Sequence, residues 1–122
     1  MRKLLFLLAV PMFVYASPSA DLITSLKPFS PISTTLENGD LTIVLNQQRI
    51  TPKIYSAVIT TGVCSSIILY DKEALAGIES VSVVNEFSKG YVFEGGKELC
   101  LEYGDLPRVQ NEVFLLGHTH LK

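Results

Sequence analysis

Past an apolar N-terminal run, the chain alternates short hydrophobic stretches with turn-forming pairs. Asn38-Gly39 is a strong hairpin signal, since both residues tolerate the positive φ of a type I′ turn. A two-residue loop there sets Leu36 opposite Leu41, Thr34 opposite Ile43 and Ile32 opposite Leu45, which puts five apolar residues of six on one face. The same register leaves Glu37 and Asp40 facing each other, a mild repulsion. Ile54 to Thr61 and Ser66 to Tyr70 are β-branched and apolar with little alternation, the pattern of central strands covered on both faces. Asp71 to Ala76 reads as a short helical turn, capped by Asp71 and stopped by Gly77. Val81 to Phe87 reads as a strand, Ser88-Lys89-Gly90 as a three-residue loop with Gly90 left-handed, and Tyr91 to Glu94 as the returning strand. Gly95-Gly96 then closes a second hairpin onto a strand from Lys97 to Tyr103, and Glu112 to Leu116 supplies the last strand. With about six to eight short strands and no long amphipathic helix, the expected fold is mainly β: a small antiparallel sandwich or roll with one or two short helical turns.

The apolar run itself reads as a targeting segment. Arg2 and Lys3 precede Leu4 to Val14, and Val14-Tyr15-Ala16 suits signal peptidase. The run is too short to span a bilayer, which takes about 20 residues. Residues 1–16 are therefore expected to be a cleavable signal, with a cut after Ala20 as the alternative. Residues 17–31, rich in Ser and Pro, form an extended lead-in with one helical turn at Asp21 to Leu26. Residues 32–122 form a single β-rich domain in a periplasmic protein, with no second apolar stretch approaching a membrane span.

Charge narrows the partners. The whole chain carries a net charge of −2, and without Arg2 and Lys3 it becomes more acidic. No basic run occurs, which argues against nucleic acid. Cys64 and Cys100 are the two cysteines, and in an exported chain such a pair most often forms a disulfide. Closing that loop of about 37 residues is worth roughly 4 kcal/mol on the chain-entropy model.

Catalytic chemistry finds little footing. Gly62-Val63-Cys64-Ser65-Ser66 approaches a nucleophile elbow but lacks the final glycine and the long helix that motif requires. His118 and His120 would share a face of an extended tail, yet two imidazoles do not complete a zinc site. Glu98 and Glu102 look like a solvated stripe rather than an acid–base pair. The sequence therefore points to a non-enzyme without metal or cofactor. On the second hairpin, Phe93 would lie opposite Glu98 and Tyr91 opposite Cys100, with Glu94 against Lys97 at the tip. Aromatics rimmed by charge suit a protein-binding patch, so Tyr91, Phe93, Glu94, Lys97 and Glu98 are the candidate partner contacts. The competing reading packs both aromatics beneath another segment.

The chain as a whole resembles the periplasmic immunity proteins of type VI secretion, especially those that neutralise a spike protein with a peptidoglycan-hydrolase domain. The resemblance is carried by the opening Met1-Arg2-Lys3-Leu4-Leu5-Phe6-Leu7-Leu8, the length, the Cys64/Cys100 pair and the expected β-rich, non-catalytic body. It implies a protein that binds a cell-wall-degrading effector, occludes its active-site cleft and forms homodimers. It brings no motif on which site residues could be carried over. The alternative is a non-catalytic assembly or carrier module of an envelope or secretion apparatus.

Overall fold

A computed structural model describes residues 15–122. The targeting segment expected at residues 1–16 lies outside the described residues except for Tyr15–Ala16, which form a two-residue strand, β1. The other strands are β2 (Ser33–Glu37), β3 (Asp40–Val44), β4 (Ser80–Val84), β5 (Gly90–Phe93) and β6 (Thr119–Leu121). They lie in one mixed sheet in chain order. β3 and β4 run parallel, and every other neighbouring pair is antiparallel.

The expected mainly β sandwich or roll is not what the chain forms. Helical residues make up 44% of the structure and strand residues 21%, so the fold is a mixed α/β one. Three segments account for the difference. Ile54 to Thr61 and Ser66 to Leu69, expected as strands, belong to a continuous helix from Pro52 to Leu69, and Tyr70 follows it as a turn residue. It begins as α2 (Pro52–Ala57), widens to a π-type segment (Val58–Cys64) and ends as α3 (Ser65–Leu69). Lys97 to Tyr103 lies in α4 (Lys97–Asp105), and Glu112 to Leu116 in α5 (Arg108–Gly117).

The physical reasons are local and tertiary together. Thr51 starts the central helix by accepting the Ile54 N–H on its Oγ1 at 3.1 Å, and Pro52 occupies the first turn, where a missing N–H costs nothing. Tyr55, Val58, Ile59, Val63 and Ile67 then recur at helical spacing, and all are buried. They meet Leu36, Leu41, Ile43, Val81, Val83 and Phe93 from the sheet in one hydrophobic cluster. The helix is long and apolar enough to cross a membrane by length and composition, contrary to the sequence reading, yet its apolar side is spent on this core.

The first hairpin is as expected next to its turn, but the ladder stops at Ser33–Val44, so Ile32 does not pair with Leu45 and stays exposed while Leu45 is buried. Asn38 (φ 51°) and Gly39 (φ 84°) make the turn, and Leu36 pairs with Leu41 and Thr34 with Ile43. Glu37 does face Asp40. Asp40 is compensated by hydroxyls: its carboxylate accepts from Thr42 (3.1 Å), Ser80 (2.8 Å) and Ser82 (3.3 Å). The lead-in is more helical than expected. α1 (Ala20–Leu26) is capped by Ser19, whose Oγ accepts the Leu22 N–H, and it buries Leu22 and Leu26 in the core. The Asp71 turn appears as a run of turns, with Asp71 accepting the Glu73 N–H and Gly77 at φ 81°.

Gly95-Gly96 is not a hairpin turn. A Cβ at Gly96 would sit 2.2 Å from the Ile78 carbonyl oxygen, so a glycine is needed where α4 starts against the Ile78 backbone.

The Cys64–Cys100 disulfide is formed, at a sequence separation of 36. It joins the π-type segment of the central helix to α4. Replacing Thr51 with alanine is expected to lower unfolding free energy by about 1 kcal/mol, the usual cost of losing a hydroxyl cap. Equilibrium denaturation of Thr51→Ala checks this, and Thr51→Ser should recover most of the loss.

Candidate functional site

Parallel pairing of β3 and β4 brings the ends of both strands to the same edge of the sheet. β6 also ends there, because it runs antiparallel to β5, which runs antiparallel to β4. The loops leaving these strands enclose a cleft of about 590 Å³, lined by Gln48, Arg49, Ile50, Asn85, Phe87, Lys89, Gly90, Tyr91, Leu121 and Lys122. Arg49, Lys89 and Lys122 bring three cations to its mouth. No acidic side chain lines it, in a chain whose acids outnumber its bases.

The β4–β5 loop is the most constructed part of this rim. Asn85 is 5% exposed. Its Oδ1 accepts the backbone N–H of Phe87 (2.9 Å) and of Lys89 (3.1 Å), and its Nδ2 donates to the Gln48 carbonyl at 2.8 Å. One amide therefore shapes the loop and ties it to the β3 connection. The Asn85 N–H donates to the Lys89 carbonyl, and Ser88 takes φ 62°. The left-handed position is thus Ser88 and not Gly90, as the sequence suggested. Gly90 serves another need: a Cβ there would lie 1.9 Å from the Val83 carbonyl oxygen, so only glycine lets β5 begin this close to β4. The result is a hydrogen-bonded loop that holds Phe87 outward, 73% exposed, beside the cations. Sequence reading missed it, although Asn85 followed by Phe87, Ser88 and Lys89 carries the signature of a side chain closing its own turn.

The five residues expected to form a contact patch do not share one surface. Tyr91 lines the cleft, and its ring packs 5.1 Å from that of Tyr55. Phe93 is 1% exposed, inside the core, as the competing reading had it. Glu94 leaves β5 and meets the His120 imidazole. Lys97 sits in the first turn of α4 and pairs with Glu73 at 3.2 Å. Glu98 is exposed in the same turn. Because Lys97 to Tyr103 is helical, neither the Phe93–Glu98 nor the Tyr91–Cys100 pairing exists.

His118 and His120 do not converge either: the His118 ring packs tilted against Phe114 with centroids 4.6 Å apart, while His120 meets Glu94. Among the described residues, no group of three His, Cys, Asp or Glu side chains could hold a metal ion. The Gly62–Ser66 stretch lies within the central helix, with Cys64 in the disulfide.

Behind the cleft, Tyr55 anchors β6. Its hydroxyl bonds the Thr119 Oγ1 at 2.6 Å, and Thr119 donates to the Leu115 carbonyl at 2.6 Å, so Tyr55 is the donor in the first bond. Burial pushes the Tyr55 phenol up to about 12, with the nearby Glu94 charge acting in the same direction.

Comparison with protein-family models, with curated proteins and with solved structures finds no match to this chain.

Two outcomes are expected of this geometry. Asn85→Ala should cost about 2 kcal/mol, because the variant leaves backbone groups in a partly buried loop without partners. Hydrogen exchange at the Phe87 and Lys89 amides should accelerate most. The phenol of Tyr55 holds its proton more tightly folded than unfolded, so stability is unaffected below pH 10 and falls as pH rises from about 10 towards 12. Denaturation at stepped pH should show that loss, and Tyr55→Phe should remove it.

Proposed function

We propose that this chain is a periplasmic immunity protein that binds a secreted peptidoglycan-degrading effector, occludes its active-site cleft and so protects the cell that makes it. On this reading the protein is not an enzyme and works by contact. The observation that carries the reading is the Asn85–Lys89 loop, which presents an exposed phenylalanine beside Arg49, Lys89 and Lys122. A glycan-hydrolase cleft is open enough for a polysaccharide and holds working carboxyl groups. An aromatic ring on a protruding loop fits such a cleft, and neighbouring cations complement its acids. Because Asn85 already orders the loop, little conformational freedom remains to be lost on binding.

The sequence features behind the resemblance support the reading unequally. The opening residues, the length and the cysteine pair remain in its favour. The β-rich body does not, because the fold is mixed. The contact is assigned to the Phe87 loop because Tyr91, Phe93, Glu94, Lys97 and Glu98 are dispersed between the cleft, the core and α4. An acidic chain overall also favours encounter with a basic, wall-binding enzyme.

The test titrates the chain from Ser17 onward into the secreted hydrolase of its own cell and follows peptidoglycan lysis. Phe87→Ala should weaken inhibition about thirtyfold, the loss of a central aromatic contact worth about 2 kcal/mol. Arg49→Ala combined with Lys89→Ala should weaken it further and reduce its dependence on salt, while Lys97→Ala leaves it unchanged. Full inhibition by both cleft variants would remove this loop from the contact. A wild-type chain that gives no protection would favour the envelope assembly or carrier reading instead.

A further inference from the structure

The layer formed by α4 and α5 is held to the rest of the molecule by unusually little apolar contact. Of the nine residues of α4, Cys100 is the one that is buried, and of the ten of α5, Leu115 is. Leu99 packs against the core only partly buried. The apolar side chains Leu101, Val109, Val113 and Leu116 point to solvent. Amphipathic packing normally supplies most of a surface helix's stability, and here most of the available apolar surface faces the wrong way. The covalent bond from Cys100 to Cys64, in the central helix, is the strongest attachment this layer has.

The edge strand depends on this layer. α5 leads directly into β6, whose Leu121 and Lys122 neighbour form one wall of the Phe87 cleft. β6 is tied to α5 by the Thr119 hydroxyl on the Leu115 carbonyl and to the central helix by the Tyr55 hydroxyl on Thr119. It is tied to the loop by the Lys122 N–H on the Gly90 carbonyl at 3.0 Å. The layer enters the main hydrophobic cluster through Cys100 and Leu115 with Leu99 against it, whereas α1, the central helix and β2 to β5 supply the other members of that cluster and pack on one another directly.

We propose that the Cys64–Cys100 disulfide is a latch that completes the cleft only after oxidation. In the dithiol state residues 97–121 open as one unit while the rest of the fold stays closed. Closure removes two protons and two electrons from the thiols as the sulfur–sulfur bond forms. The electrons pass to the disulfide of a thiol-oxidising protein of the exported compartment, which leaves as its dithiol. The opening is a property of this chain alone. Its consequence for binding rests on the contact reading above: the protein would be inactive towards its partner in a reducing cytoplasm and competent once exported.

Hydrogen exchange on the isolated chain tests the latch without any partner. In the oxidised protein the amides of α4, α5 and β6 should be protected. Reduction by a dithiol under native conditions should speed their exchange on the order of a hundredfold. The amides of Ile43 and Val83 should change little, and reoxidation should restore the original pattern. The double variant Cys64→Ala with Cys100→Ala should match the reduced protein, which covers the case in which the buried bond resists reductant. Unchanged exchange across 97–121 in that variant would overturn the proposal. So would acceleration of every amide together, or failure of the variant to fold, because each would mean the bond supports the whole domain and not one layer. Inhibition of the hydrolase is read separately, so a failed contact reading leaves the latch standing and the reverse also holds.

Discussion

The structure depends on the packing of one helix, Pro52 to Leu69, against the paired strands β3 and β4. Parallel neighbours cannot be joined by a tight turn, because the chain must travel back along the sheet before the second strand begins. The central helix makes that journey, and its buried side lies over the apolar face that β3 and β4 share. Tyr55, Val58, Ile59, Val63 and Ile67 on one side and Leu41, Ile43, Val81 and Val83 on the other are almost entirely removed from water. Burying each such side chain is worth about 1.5–3 kcal/mol. Nothing else among the described residues brings so many large apolar groups together.

The rest of the molecule is organised by that pairing. With β3 and β4 parallel, the Gln48–Ile50 connection and the Asn85–Lys89 loop leave the sheet at the same end, close enough for Asn85 to donate to the Gln48 carbonyl. An antiparallel pair would have sent them to opposite ends, and no cleft would lie between them. The hydrophobic face of the sheet is covered by helices. The opposite face carries hydroxyls and charges around Asp40, which keeps a repulsive turn tolerable. The disulfide then fastens α4 to the central helix, and α5 leads from that layer into the strand that finishes the cleft. Local chemistry and global topology agree at each of these points, as expected of a sequence that specifies one fold.

Much of the first hairpin was legible because a two-residue turn fixes register without help from distant residues. The cysteine pair was legible for a similar reason: two cysteines leave one intramolecular pairing. The central helix was not read, although its signals were present. Thr51-Pro52 is a helix start, and the spacing of Tyr55, Val58, Ile59, Val63 and Ile67 is helical. The β-branched composition of Ile54 to Thr61 outweighed them, and burial against a sheet overrides such local preference. α4 and α5 were missed because their inward faces are nearly reduced to Cys100 and Leu115, which leaves little periodicity to detect. The error at Gly95-Gly96 then carried into the site. A glycine pair suited to a hairpin is equally required where the chain passes close to the Ile78 backbone, and only the fold distinguishes the two. Tyr91 kept a place beside the cleft and Phe93 turned into the core from β5, while Lys97 and Glu98 were carried away by the helix that replaced the expected strand.

Backbone NOEs from solution NMR test the parallel crossover most directly. The account predicts helical i to i+3 contacts through residues 52–69, together with contacts between β3 and β4 in the register that sets Leu41 beside Val81 and Ile43 beside Val83. Sequential strand-type contacts through Ile54 to Thr61, or an antiparallel pattern between those two strands, would contradict it.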